Sequence, residues 1–290
     1  MAGERRQKAT GAARVPDEFL QSMSRLSRDL RNASVTLSDR EARFLVDAYY
    51  QMQKDRIRAD HQTRTLVAND EPHDVVVWLA DQRETLEKQI ARALDGYSAG
   101  SVVGRWCRSQ VGIGPIITAG LLSNIDIKLA PTAGHIWRFA GLDPTLVWSK
   151  GQKRPHNGSL KRLCFLIGES FVKVSGNENA VYGLAYSVRK ERENKKNEAG
   201  DYADQAKASL AAKRYGDDTQ AKKHYEAGHL PPARIHLRAK RWAVKLFLSH
   251  YHHVAYETEF GKPPPLPYIM AKDPLLHTHF VGPPNWPMVE

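Results

Sequence analysis

The stretch Val111–Pro115 alternates apolar residues with Gly112 and Gly114 and ends in proline. Glycine has no Cβ and accepts positive φ, so a ligand can come close to the backbone at such a turn. Proline suits the first turn of a following helix, whose free N–H groups and positive dipole end attract phosphate. The pattern predicts a helix-hairpin-helix that grips a nucleic-acid backbone at the two glycines. The alternative is a glycine turn that only joins two packed helices.

A basic loop that begins at Trp148 is the second candidate site. Its positively charged or titratable residues are Lys150, Lys153, Arg154, His156, Lys161 and Arg162. Cations beside an aromatic ring can bind a nucleic-acid backbone and unstacked bases together. The alternative is an ordinary solvated loop. Arg238 and Arg241, on a helix predicted over residues 233–259, extend the candidate nucleic-acid-binding surface.

Four segments occur in an order that resembles a known family. They are "VGIGPIITAGLLSNI", "IWRFAGLDP", "WSKGQKRPHNGSLKRLCFLIGESF" and, more loosely, "IHLRAKRWAVKLF". Together they resemble the C-terminal half of transposases of the insertion-sequence-110/116/902 type, a family that includes Piv-type DNA invertases. The resemblance covers about residues 105–174 well and 233–253 loosely. It implies a mobile-element or phage protein that binds DNA and acts in DNA transposition or site-specific recombination.

The resemblance also implies a serine that becomes covalently joined to DNA, and Ser149 is the position that corresponds to it. The family has glycine directly after this serine, whereas Lys150 intervenes here. A serine hydroxyl needs an activating neighbour to act as a nucleophile. Lys150, Lys153 and Arg154 would stabilise the charge that develops on the phosphorus centre. The alternative is that Ser149 is an ordinary surface serine.

The family's other catalytic part is an N-terminal RuvC-like domain, in which four acidic residues hold a divalent metal, usually magnesium. The first 100 residues show no strand of the kind that opens such a domain, so no acidic tetrad and no metal site is assigned. Mg²⁺ is therefore expected only with a catalytic partner or an unrecognised acidic site. The histidines near the C-terminus lack cysteine or carboxylate partners at zinc-ligand spacing, so we interpret them as solvated or partly packed residues. They are His250, His252, His253, His277 and His279.

The charge balance points to a polyanionic partner. Lysine and arginine outnumber aspartate and glutamate by 43 to 32, giving a net charge of +11. Such an excess favours DNA, RNA or an anionic surface, although many basic proteins have no such partner. DNA and structured RNA stay open as alternatives, because both offer phosphates to the same surfaces. A second hypothesis for function is a non-catalytic nucleic-acid-binding or RNA-binding assembly protein that retains only the binding module.

Cysteine usage and hydropathy bear on the compartment. Cys107 and Cys164 each lie in an apolar helical pattern rather than in a metal-ligand or disulfide framework, which fits a reducing cytoplasm. No run of 18 apolar residues occurs, which predicts no transmembrane helix. The basic N-terminus also lacks the apolar core of a signal peptide. We therefore expect a cytoplasmic protein without a membrane partner.

The elements that carry these sites predict a mainly α fold. The predicted domains are a basic flexible arm (1–37), a helical hairpin or coiled coil (38–95), a helix-hairpin-helix domain (101–260) and a Pro-rich tail (261–290). Ser38 and Glu41 have the spacing of a capping box. An apolar stripe predicts that the N-terminal helices pair within the chain or form a homo-oligomer through a coiled coil. The stripe consists of Leu79, Leu86, Ile90 and Leu94.

Three connecting segments also carry predictions. Residues 96–100, with glycine at both ends, predict a hinge, and a short strand is expected from Thr145 at the start of the basic loop. Residues 189–226 are densely charged with alternating sign, which is typical of a solvated helix or a mobile insertion.

Overall fold

A computed structural model describes residues 26–69, 74–266 and 280–288. Within these residues the chain forms α-helices and short 3₁₀ turns but no strand, which confirms the mainly α prediction; the strand expected from Thr145 is wrong. None of the helices in these ranges is long and apolar enough to cross a membrane. The helices are α1 (Arg28–Ala33), α2 (Asp39–Ala68), α3 (Asp74–Ala99), α4 (Val102–Arg108), α5 (Pro115–Asn124), α6 (Ala133–Phe139), α7 (Gly158–Lys173), α8 (Val181–Glu198), α9 (Ala203–Ala212), α10 (Gln220–Glu226) and α11 (Pro232–Phe260).

The chain divides into two compact units between Ser101 and Val102. The first unit contains α1 to α3, and α2 packs along α3. The predicted capping box starts α2: the Ser38 N–H donates to the Glu41 carboxylate at 2.8 Å, and the Glu41 N–H donates to the Ser38 hydroxyl at 3.3 Å. Residues 28–36, which lie inside the segment predicted as a flexible arm, are helical and contact α3.

The apolar stripe on α3 is divided by the structure. At one end Leu94 is fully buried within the unit, whereas at the other end Leu79 is 41% exposed. Helix α3 also continues through Gly96 to Ala99, so the hinge predicted over 96–100 is reduced to a break after Ala99. Half of the stripe therefore packs within the chain and the other half is accessible.

The second unit is organised around α11, which packs against α4, α6, α7 and α8. The Phe247 ring of α11 lies 5.9 Å from Trp106, 5.7 Å from Phe171 and 5.1 Å from Tyr182, measured between ring centroids. Aromatic pairs at these separations add to the energy of area burial. One side chain therefore joins α4, α7 and α8 to the central helix.

The charged segment 189–226 is anchored rather than mobile. Glu193 on α8 is fully buried and pairs with Arg189 at 2.5 Å and with Arg238 at 2.8 Å, while the Tyr202 hydroxyl donates to it at 2.5 Å. Burial acts to raise the pKa of Glu193, but the hydrogen bonds from Tyr202 and Arg238 and the arginine charges outweigh it, so the pKa is lowered. The network ties α8, α9 and α11 together. A small apolar cluster completes this region: Ala206, Tyr225, Leu230 and Ile235.

Residues 280–288 of the Pro-rich tail pack back onto the unit. The indole N–H of Trp106 donates to the Pro284 carbonyl at 2.8 Å, and that of Trp286 donates to the Glu257 carboxylate at 2.8 Å. His277 and His279 lie outside the described residues. The end of the chain is thereby joined to both α4 and α11.

His250 and His252 on α11 are buried and hydrogen-bonded. His250 donates from Nε2 to the Val281 carbonyl at 2.9 Å, so its Nδ1 accepts the Tyr182 hydroxyl at 2.9 Å. His252 donates from Nε2 to the Ala130 carbonyl at 2.8 Å. Burial lowers the pKa of His250 from 6.5 to about 4. Both side chains therefore serve as neutral packing residues.

We expect the C-terminal unit to lose stability as the pH falls from 6.5 to about 4. In this window His250 binds a proton in the unfolded chain but stays neutral in the folded one, so acid favours unfolding. His250→Gln, which keeps an N–H donor for Val281, should make the free energy of unfolding less dependent on pH. Urea unfolding between pH 7 and 4 measures this. The control variant His135→Gln, at an exposed position, should keep the wild-type dependence of the unfolding free energy on pH. The same dependence in His250→Gln would contradict the prediction.

Candidate nucleic-acid interface

The glycine turn joins α4 to α5, and its first glycine serves packing. Gly112 has φ of +95°, and its carbonyl accepts the Ser170 hydroxyl of α7 at 2.5 Å. A Cβ at this position would lie 3.1 Å from Cγ2 of Val174. Gly112 is therefore required by the close approach of the turn to α7, as well as by its backbone conformation.

Gly114 has a different environment. It is the exposed N-cap of α5, with φ of −90° and ψ of 176°, and Pro115 occupies the first helical turn as expected. An added Cβ would meet no atom within 4 Å, and no side chain caps the helix. A side chain at this position fits the fold, so the approach to the first N–H groups of α5 is open.

These two environments give opposite expectations for the same substitution. Gly112→Val should destabilise the protein by ~1–3 kcal/mol, because valine is strained at positive φ. Gly114→Val should lower the melting temperature less than Gly112→Val does, because valine before proline is compatible with extended backbone and only the N-cap preference for glycine is lost. If a phosphate contacts the α5 N-terminus, Gly114→Val should weaken nucleic-acid binding by ~1–3 kcal/mol.

Calorimetry and fluorescence anisotropy on both variants test this pair of expectations. Full binding by a folded Gly114→Val protein would show that no phosphate contact depends on the open position at Gly114.

The basic loop between α6 and α7 is closed by its own hydrogen bonds. The Trp148 indole N–H donates to the Gln152 carbonyl at 2.8 Å, and the Gln152 N–H donates to the Ser149 carbonyl at 3.2 Å. Gly151, with φ of +91°, permits the tight turn between them. The Arg154 guanidinium lies 5.9 Å from the Trp148 ring centroid. The loop therefore presents an aromatic ring and cations from one compact turn.

Asn157 fixes the base of this loop. Its N–H donates to the Phe139 carbonyl at 2.8 Å, and its side-chain oxygen accepts the Leu160 N–H at 3.0 Å and so caps α7. Its side-chain amide donates to Asn124 at the end of α5 at 3.3 Å. The loop is thus tied to the ends of α5 and α6 and to the start of α7.

The glycine turn and the basic loop lie at opposite ends of α5. The turn precedes Pro115, whereas the loop is tied to Asn124, and ten helical residues span ~15 Å. The structure therefore separates the predicted residues into two groups rather than one site. Lys161 and Arg162, in the first turn of α7, belong to the loop group.

The charge around both groups is strongly positive. Residues 102–176 contain ten lysines and arginines but only three aspartates and glutamates, and no acidic residue occurs between Asp143 and Glu169. In the described part of the chain, no carboxylate lies within ion-pair distance of these loop cations: Lys150, Lys153, Arg154 and Lys161. Burial, followed by the charges of Lys161 and Arg154, lowers the pKa of His156. The positive charge of these four side chains is therefore not neutralised by a carboxylate of the described residues.

Ser149 is exposed on the loop turn. Across residues 26–69, 74–266 and 280–288, no base is hydrogen-bonded to its hydroxyl, and no group of three or more His, Cys, Asp or Glu side chains could hold a metal ion. The cations next to Ser149 are the feature of this position that bears on phosphate chemistry.

The two arginines predicted on α11 differ in their surroundings. Arg238 pairs with the buried Glu193 and lies 4.6 Å from the Tyr202 ring centroid, so much of its charge is used within the protein. Arg241 is exposed, and desolvation together with the charges of Arg234 and Arg238 lowers its pKa. Arg241 is the better candidate for an external anion.

Lys245 and Trp137 are two further candidate residues that were not predicted from the sequence. The ammonium group of Lys245 lies 5.0 Å from the Trp137 ring centroid, and the Trp137 indole N–H donates to the Lys245 carbonyl at 3.1 Å. Positions 234, 238, 241 and 245 all carry cations, and this three- and four-residue spacing places them on one helix face. That spacing was the signal available in the sequence.

No family model, curated protein or solved structure matches this chain. The function is therefore argued from the geometry and charge of the chain itself.

Proposed function

We propose that this protein binds DNA through the sugar-phosphate backbone, without strong sequence preference. The observation that carries the proposal is the positive charge of the basic loop, where Lys150, Lys153 and Arg154 have no carboxylate partner among the described residues and no acidic residue occurs between Asp143 and Glu169. Backbone contacts by lysine and arginine supply most of non-specific DNA affinity. Structured RNA, which carries the same phosphates, is the alternative ligand.

Two contact points support binding through the phosphate backbone. The open N-terminus of α5 at Gly114 would contact one phosphate, and the cations of the basic loop would contact others. A nucleic acid that reaches both points would be held there through its phosphates.

The salt dependence of binding tests this proposal. If six phosphates are neutralised, the plot of log affinity against log salt concentration should have a slope of about −5. Lys153→Ala and Arg154→Ala should each make the slope shallower by about 1, because each removes one phosphate contact. Ser149→Ala, which removes no charge, should leave both affinity and slope unchanged. Phosphate contacts weaken strongly between about 50 and 200 mM salt. An affinity that stays constant over this range would contradict the proposal.

A role in DNA transposition or site-specific recombination is the more specific form of the proposal. It is supported by the resemblance of four ordered segments to insertion-sequence-110-type transposases, with Ser149 in the nucleophile's position. The alternative, a non-catalytic binding module, is favoured by the absence of a hydrogen-bonded base at Ser149 among the described residues. A covalent protein–DNA adduct that forms in the presence of Mg²⁺ and is lost in Ser149→Ala would support the recombinase over the binding module.

We further propose that the N-terminal helices form a homo-oligomer. Leu79 and Val75, one helical turn apart on α3, are both substantially exposed, although this part of the stripe has the apolar spacing of a helix interface. Two helices alone bury little apolar surface, so a second copy of the chain would stabilise them by covering this end of the stripe.

Two substitutions on the same stripe distinguish pairing between chains from packing within one chain. Leu79→Asp should yield folded monomers, because the accessible end of the stripe would no longer associate. Leu94→Asp should unfold the N-terminal unit, because it places a charge in a fully buried position at a cost of ~3 kcal/mol or more. Analytical ultracentrifugation and circular dichroism measure the two effects. A wild-type monomer at all accessible concentrations would rule out the oligomer.

A further inference from the structure

Trp148 presents its ring from the basic loop. The side chain is 45% exposed, and its neighbour Val147 is 85% exposed. The only polar atom of the indole is already used, because its N–H donates to the Gln152 carbonyl at 2.8 Å. The exposed part of Trp148 therefore has no hydrogen bond to offer, and the interactions left to it are stacking and apolar contact.

The ring is also held in place before any ligand arrives. The hydrogen bond to Gln152 closes a turn that a second bond, from the Gln152 N–H to the Ser149 carbonyl, reinforces. Asn157 anchors the end of the loop to α5 and α6. A ring fixed in this way loses little conformational freedom when it stacks on a ligand.

Cations surround the ring on the same loop. Lys150, Lys153 and Arg154 follow Trp148 within six residues, none has a carboxylate partner in the described ranges, and the Arg154 guanidinium lies 5.9 Å from the ring centroid. A stacking surface beside unpaired cations matches a nucleotide, which joins an aromatic base to a phosphate. Bases in a duplex are stacked on each other, so only an unpaired base has a free face for the indole.

We propose that Trp148 stacks on an unpaired base, so that the basic loop binds single-stranded nucleic acid in preference to duplex. This inference rests on the proposed function, because it requires that the loop cations contact phosphates. The ligand class is a single strand or an unpaired segment within a longer nucleic acid. The loop cations provide affinity for any backbone, and Trp148 provides the preference for unpaired strands.

The test compares a mixed-sequence 20-nucleotide DNA strand with the duplex of the same sequence, by fluorescence anisotropy on the full-length chain. We expect the wild-type protein to bind the single strand more tightly. Trp148→Ala should weaken single-strand binding by about 5- to 100-fold, the range for losing one base–aromatic stack, and duplex binding by less than about twofold. Trp148→Phe, which keeps a ring, should retain most of the single-strand affinity.

Two control variants separate stacking from charge and from folding. Val147→Ala, next to Trp148 and more exposed, should bind like the wild type, and equal melting temperatures should show that each variant folds. Trp148→Ala should leave the salt slope unchanged, whereas Lys153→Ala should make it shallower by about 1.

Two outcomes have different meanings. Equal losses for single strand and duplex in Trp148→Ala, or no loss in either, would overturn the stacking proposal while leaving backbone binding in place. No binding of the wild-type protein to either nucleic acid would overturn the proposed function itself.

Discussion

The contacts of the Phe247 ring with Trp106, Phe171 and Tyr182 determine how the helices of the C-terminal unit are arranged. These partners belong to α4, α7 and α8, so one side chain of α11 relates three further helices to one another. Removing such a ring from a packed core typically costs ~3–5 kcal/mol. The glycine turn follows α4, and the basic loop leads into α7. The positions of both candidate contact points therefore depend on this aromatic cluster.

The same packing determines which charges remain available. Two acidic residues are paired with basic residues of α11: Glu193 pairs with Arg238, and Glu169 pairs with Lys240. A buried charge is stable only when it is paired, and Glu193 and Lys240 are the buried members of these two pairs. Neither carboxylate forms an ion pair with a cation of the basic loop. The loop cations Lys150, Lys153 and Arg154 therefore keep positive charge without a carboxylate partner among the described residues, and such charge attracts a polyanion.

The features that the sequence predicted correctly depend on neighbours a few residues away. The capping box of Ser38 and Glu41 consists of hydrogen bonds across three residues. Helix α6 ends at Phe139, and Gly141, two residues further on, has a φ of +66° that suits glycine. The acid-free stretch around Trp148 is likewise a property of composition. The mainly α class follows from these local signals, whereas the strand expected from Thr145 rested on a short apolar run without partners.

The sequence by itself thus determined the mainly α class, the capping box of Ser38 and Glu41 and the positive charge of the basic loop. Tertiary structure alone decided that Gly112 is a packing residue while Gly114 stays open, since the difference depends on Val174 of α7. It also decided that Arg238 is largely used internally, because its partner Glu193 lies 45 residues away in the chain. Local pattern specifies backbone conformation, but the availability of a side chain depends on which distant groups pack against it, and those contacts exist only once the chain has folded.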